Sequence, residues 1–391
     1  MGSQAPRLDA VDALRGFAIV SIMLLHNIEH FDLYYVVTDS PAWLAALDKV
    51  VWEVAFFLFG GKSYAIFALL FGLTFHLQSQ ARKERGEDFR ARYAWRLLIL
   101  FCFGMLNSMF FHGDILTIYA VIGLGLLPVA RLRDGALLAL AVILMLQPYE
   151  WLMLVDAMRH PDVKMGDPVS WQYFGRINDY LTGDSLLRVW AGNLTNGKLA
   201  VLHWSWENGR VFQILSLFML GMLAGRRGLF EASARAMGFW RRTLLAATVL
   251  FLPLYVIRML LPDWVASAAV RRPLGIIVAS WSNCAFMLVL VSCFVMLYQG
   301  GAMTRALRLL SPLGRMSLTS YFTQSIVGAF FYYGFGLGLY KITGATVCLL
   351  IGAVLAALQC AFCAWWLRRH AQGPLEQLWH RATWMGARQP A

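Results

Sequence analysis

Charge is scarce in this sequence: 14% of its 391 residues are Asp, Glu, Lys or Arg, against 59% hydrophobic ones. A soluble domain needs more polar surface than that, so apolar spans joined by short charged loops must take up most of the length. Acid is scarcer than base, 22 residues against 34, for a net charge of +12. In a soluble protein that balance points to nucleic acid. Here the cations gather in particular loops, which is how membrane orientation is encoded, and nucleic acid is not an expected partner. Cysteine is scarce too. The six cysteines, Cys102, Cys284, Cys293, Cys348, Cys360 and Cys363, lie in apolar segments without His or Cys partners at metal-binding spacing, so neither a disulfide framework nor a zinc site is indicated. Cys360 and Cys363 share one helix and read as small packing residues. A cleavable leader is not evident: the first apolar run follows charged residues, lacks a small-residue cleavage site and counts as the first span.

What is present is a series of apolar windows near residues 14–31, 62–78, 95–111, 115–130, 136–155, 209–225, 243–261, 274–297, 316–335 and 345–367. They predict an all-α, polytopic bundle of about ten transmembrane helices that forms a single integral membrane domain over 1–391. Arg82, Lys83, Arg90, Arg92, Arg226 and Arg315 fall in one set of loops, whereas the short loops of the other set hold only Lys49, Arg271, Arg272 and Lys341. That bias predicts both termini in the cytoplasm. Residues 156–208 form an outer-face insert between the fifth and sixth spans, with Trp171, Tyr173, Trp190, Trp204 and Trp206 suited to the lipid headgroups. Residues 43–61 read as an interfacial or re-entrant helix. Gly221 with Gly225, and Gly334 with Gly338, stand at the spacing that lets helices approach closely. The segment 368–391 reads as an amphipathic tail on the cytoplasmic surface.

Ionisable groups inside such spans mark polar cavities by default, because each must be hydrated or hydrogen-bonded there. His26, near the end of the first span, is the first candidate for chemistry. At ~1.5 Å per residue it lies roughly 16 Å along the helix axis from Arg15, about half of a ~30 Å core. His30 follows one turn later on the same face, with Glu29 beside it. His112 and Asp114 form the turn between the third and fourth spans, where they can position an acceptor or assist catalysis. Lys62 either snorkels to the headgroups or lines the cavity opposite His26. Arg210 and Arg258 are unusual enough to line a cavity as well. His76, His160, His203, His370 and His380 have no comparable constellation.

Several stretches carry a resemblance. Arg7-Leu8-Asp9-Ala10-Val11-Asp12-Ala13-Leu14-Arg15-Gly16, the segment from Gly61-Lys62 to Leu70-Phe71-Gly72, and Gly113-Asp114-Ile115-Leu116-Thr117-Ile118-Tyr119-Ala120 resemble motifs of the YeiB-like family of bacterial membrane proteins. Leu220-Gly221-Met222, Gly314-Arg315-Met316-Ser317-Leu318-Thr319-Ser320-Tyr321 and Gly373-Pro374-Leu375-Glu376 complete the set. That family is grouped with transmembrane acyltransferases, which take an acyl group from cytoplasmic acyl-CoA and pass it to an acceptor on the far side. The opening is also similar to that of the acyltransferase-3 enzymes, whose "D-x-L-R" start is followed on the same helix by an essential His; Asp12, Leu14, Arg15 and His26 fall on that pattern. Heparan N-acetyltransferases share the Arg-Gly opening and an Asn late in this helix, here Asn27. Their later His has no counterpart in Val36-Val37-Thr38-Asp39, which leaves the role to His26 or His30.

The resemblance implies an acyltransferase of the bacterial inner membrane, with acyl-CoA, by default acetyl-CoA, as co-substrate and no metal. Its acceptor would be a hydroxyl or amine of a glycan, a lipid or a small molecule. His26 would act as base or acyl carrier, with Asp114 and His30 in support. Arg15, Arg92 and Arg96 would hold the phosphates of CoA, and Asn27, Lys62, His112 and Arg210 the acceptor. Membrane lipids surround the protein, and a homo-oligomer is left open. The rival class is a transporter of a small solute, against which stands the lack of a convincing match between the two halves of the sequence.

Overall fold

The computed structural model describes residues 8–35, 37, 40–162 and 166–385. Arg7 of the first motif, Val36, Thr38 and Asp39, and the tail beyond Met385 lie outside them. The described chain is helical, without a strand. The helices run α1 (Asp9–Ile28), α2 (Ala42–Phe59), α3 (Ser63–Lys83), α4 (Arg90–Ser108), α5 (Leu116–Gly123), α6 (Leu126–Val129), α7 (Asp134–Met145), α8 (Pro148–Arg159), α9 (Val169–Phe174) and α10 (Asn178–Leu181). Then follow α11 (Leu186–Gly192), α12 (Lys198–Glu207), α13 (Arg210–Arg226), α14 (Ala234–Trp264), α15 (Ala268–Gln299), α16 (Thr304–Arg308), α17 (Ser311–Arg315), α18 (Ser317–Tyr332), α19 (Ala345–Trp366) and α20 (Pro374–Trp384).

Several of these are candidate membrane spans. Among the described residues five segments are long and apolar enough to cross a bilayer singly, and up to seven if each of two bent helix pairs counts as one span. The ten apolar windows all fall largely on helix. However, α4 begins among arginines, α5 and α6 are short, and α18 stops at Tyr332. The region read as an interfacial or re-entrant helix before the second span is helical, as α2. α2 and α3 form one apolar segment of 42 residues, interrupted only by a turn in which Gly60 and Lys62 donate backbone hydrogen bonds to Phe56 and Phe59.

α1 is the inner helix. In its apolar window 67% of residues are buried, against 17% in α14, which turns Leu245, Val249, Leu252 and Val256 outward as a face for lipid. Around α1 pack α3, α17, α18 and α19. One very close crossing joins α3 to α13. A Cβ on Gly72 would lie 1.8 Å from the Phe218 carbonyl oxygen, and one on Gly221 would lie 1.8 Å from that of Leu69. Two backbones touch there, as the small-residue spacing around Gly221 predicts. Gly334 and Gly338 do not form a second such motif: α18 has already ended, and both lie in the turn that follows it.

The two ends of the bundle differ in charge. At one, Arg15 donates to Asp12, Thr74 and the Gly314 carbonyl, and Arg226 to Asp134 and the carbonyls of Ala130 and Leu132. α20 docks there: Arg92 donates to the Thr383 carbonyl, the Trp379 indole to the Arg96 carbonyl, and Glu376 accepts the N–H groups of Leu318 and Thr319. The opposite end is roofed by the insert. Its Ile177, Leu181 and Val189 are buried in one cluster with Phe31, Phe111, Tyr332 and Tyr333. Replacing Gly221 with Val is expected to lower stability in detergent by about 2 kcal/mol or more, read as a lower melting temperature, because the two backbones must separate.

Candidate functional site

The first helix ends in an unusual way. His30, Phe31 and Asp32 have φ of 49°, 54° and 64°, three successive non-glycine residues in the left-handed region. Each costs on the order of 1–3 kcal/mol, so the surroundings must hold them. The Phe31 N–H donates to the His26 carbonyl at 2.7 Å, and the Tyr333 hydroxyl donates to the Phe31 carbonyl at 2.8 Å. The Phe31 ring is buried against Phe111 and Tyr332. His30 Nε2 donates to the Thr343 carbonyl at 2.8 Å. Asn27 donates to the Met23 carbonyl at 2.7 Å and accepts from the Tyr332 hydroxyl at 2.9 Å.

This turn folds Asp32 back over the helix end. His26, Glu29 and Asp32 thereby offer ligand atoms that all lie within 4.8 Å of one another. His26 Nδ1 stands 3.5 Å from Glu29 Oε2, and the imidazole packs on the Phe111 ring with centroids 4.5 Å apart. From the link between α4 and α5 comes His112, fully buried, with Nε2 3.5 Å from Asp32 Oδ2. Gly113 makes that approach possible: a Cβ there would lie 2.5 Å from Asp32 Oδ2. Burial pushes the Asp32 carboxyl up to about 7, helped by the charge of Glu29 and opposed by His26 and Arg210. Burial and the Lys198 charge hold His112 down to about 3, so its ring is neutral at physiological pH.

Two cations face the group. Arg210, the first residue of α13, lies over the rings of Trp204 and Tyr64, 3.8 and 4.2 Å from their centroids, and its charge acts on Glu29 and Asp32. The Tyr64 hydroxyl donates to Gln213, which in turn donates to the Ser280 carbonyl at 3.1 Å. Lys198, from the insert, donates to Ser108 at 2.8 Å and stands 3.6 Å from Asp114 Oδ2. Asp114 also accepts from Asn107 and from the Thr117 N–H, which caps the start of α5.

Of the residues singled out in the sequence, His26, His112 and Arg210 come together, and Asp114 joins them through Lys198. His30 and Asn27 face away and hold the turn. Lys62 donates to the Phe56 carbonyl at 3.3 Å and points at Phe57 and Phe286. Arg15, Arg92 and Arg96 are at the other end, where Arg92 and Arg96 also lie over the rings of Trp384 and Trp379. Asp32 and Lys198 escaped the sequence reading. Asp32 had one available signal, since His26, Glu29 and Asp32 are spaced by three. Lys198 had none, as it sits in the insert.

Comparison with known proteins bears on the family. A family model described as "Protein of unknown function (DUF418)" matches residues 224–386. The chain is 28% identical to the uncharacterized protein YxaH of Bacillus subtilis (strain 168), over 97% of this chain and 94% of that one. It is 25% identical to the uncharacterized protein YeiB of Escherichia coli (strain K12), over 95% of each. The likeness to the YeiB-like family is borne out. It runs along nearly the whole chain, whereas the DUF418 match begins at the end of α13 and contains none of His26, Glu29, Asp32, His112 or Arg210. No solved structure matches this fold. Replacing Asn27 with Ala is expected to lower the melting temperature by the equivalent of about 1–3 kcal/mol, since a buried hydroxyl and a strained turn both lose their partner.

Proposed function

We propose that this protein is a bacterial inner-membrane acyltransferase with ten spans and both termini in the cytoplasm, which moves an acyl group from cytoplasmic acyl-CoA to a hydroxyl or amine acceptor at the outer face. The observation that carries the reading is the pairing of His26 with Glu29 at 3.5 Å, packed on Phe111, at the end of the bundle away from Arg15, Arg92 and Arg226. An imidazole backed by a carboxylate is suited to take a proton from an acceptor. In the transfer, the acceptor oxygen or nitrogen attacks the thioester carbon while His26 takes its proton. The C–S bond then breaks, and the leaving thiolate regains the proton from the imidazolium. Arg210 supplies positive charge beside the site for the developing oxyanion.

The co-substrate end of this reading changes in detail. Arg15, Arg92 and Arg96 already bind the protein's own carbonyls, carboxylates and rings. A cavity of about 880 Å³ at the same end, lined among others by His76, Lys83, Arg90, Arg131 and Arg226 beside Phe89, is the better place for the phosphates and base of CoA.

Incubation of the purified protein in proteoliposomes with isotope-labelled acetyl-CoA tests the proposal. Release of free CoA and appearance of labelled product, both detected by mass spectrometry, are expected for the wild type and reduced about 10²–10⁴-fold in His26→Ala. Absence of turnover with acetyl-CoA and longer acyl-CoAs would overturn it in favour of solute transport. For the topology, a reporter active only outside the cytoplasm is expected to work when inserted in the segment 156–208 and to fail when fused after Met385.

A further inference from the structure

The cysteines, spread through apolar segments, offer no metal site. The folded chain offers a different set. We infer that His26, Glu29, Asp32 and His112 form a binding site for a divalent transition-series cation, zinc foremost.

Geometry supplies the first argument. A tetrahedral ion ~2.1 Å from each of its nitrogen and oxygen ligands holds those ligands ~3.4 Å apart. Two edges of that figure are already in place, His26 Nδ1 to Glu29 Oε2 and His112 Nε2 to Asp32 Oδ2, both 3.5 Å. The ligand atoms of His26, Glu29 and Asp32 lie within 4.8 Å of one another, and His112 reaches this group through Asp32.

The second argument is an unmet need. His112 is completely buried, and among the described residues no hydrogen bond of ordinary geometry reaches either of its ring nitrogens, although Asn193 approaches the ring. His26 Nδ1 is buried without such a bond as well. An orphaned buried polar group costs about 1–3 kcal/mol, and two imidazoles in one cluster bearing that cost call for a partner of another kind. A cation is that partner, because its ligands must be neutral imidazoles and ionised carboxylates.

Charge supplies the third. Two carboxyl groups, Glu29 and Asp32, converge here, and Arg210, lying on Trp204 and Tyr64, acts on both through its field while Lys198 stands against Asp114. Once ionised by a bound cation, the two carboxylates outnumber that guanidinium. Two imidazoles among four donors select a transition-series ion over magnesium or calcium, which take oxygen.

This inference does not rest on acyl transfer. With an ion bound His26 is a ligand, and without one it is free to act as the base of the proposed transfer, so binding and transfer are measured separately.

The full-length protein in detergent, stripped with chelator and desalted, should be titrated with Zn²⁺ and separately with Co²⁺, with bound metal counted by elemental analysis. One ion per chain is expected, with the strong visible absorption of tetrahedral Co²⁺. His112→Ala and the near-isosteric Asp32→Asn should weaken binding more than about tenfold and lose that absorption, while His370→Ala, exposed at the other end, should match the wild type. Asp32→Asn keeps the shape of the side chain, so elution as a single folded species separates loss of a ligand from loss of fold. No bound ion in the wild type, or equal binding by Asp32→Asn and wild type, would overturn the site. The count of metal is independent of turnover: acyl transfer by a protein that takes up no ion would refute this site and leave the transferase reading standing, and one bound ion without turnover would do the reverse.

Discussion

Everything at the polar end of the bundle depends on the left-handed turn at His30, Phe31 and Asp32. An α-helix would have carried Asp32 onward, away from the bundle axis. Three residues in an unfavourable backbone region instead turn it back toward His26. The outlay in conformational energy is met by groups far off in sequence, the Thr343 carbonyl and the hydroxyls of Tyr332 and Tyr333, so the turn exists only when α18 and the segment leading to α19 are in place. The cluster of ionisable groups is thus a product of tertiary structure, although His26 and Asp32 are only six residues apart.

The second constraint is backbone contact. Motif stretches that look independent in the sequence meet in pairs in the fold. Gly314 is within reach of the Asp12 carbonyl, so the first helix and the Gly314-Arg315 stretch lie backbone to backbone, and Gly72 of the second motif rests on α13 beside Gly221. Glu376, from the last motif, reaches the N–H groups of Leu318 and Thr319. These motif stretches therefore read as contacts that close the bundle, separate from the ionisable cluster at its far end.

That separation explains what was legible. The helical class, the apolar windows and the unequal charge of the two ends follow from composition and spacing, because lipid imposes one rule on every span. His26, His112 and Arg210 could be singled out one by one, since each is an expensive residue in apolar surroundings. Their convergence could not be read, and neither could the part played by Lys198, because both depend on how the insert folds back over the bundle. His30 and Asn27 were drawn toward the chemistry by their nearness to His26. Their side chains leave α1 on the side facing α18 and α19, and helical position alone does not say which side faces a cavity. Lys62 was ambiguous for the same reason, and the rings of Phe57 and Phe286 around it come from α2 and α15.

The cap on α18 has an implication for how the chain is assembled. The N–H groups at the start of that helix find their acceptor in Glu376, 58 residues further along. During synthesis α18 and α19 both emerge before that carboxylate exists. Until it arrives, the N–H groups of Leu318 and Thr319 lack that acceptor. The final short helix then closes on the arginines of α4 as a latch, and a ribosome that stops before it would leave a bundle whose spans are all present but whose inner end is still open.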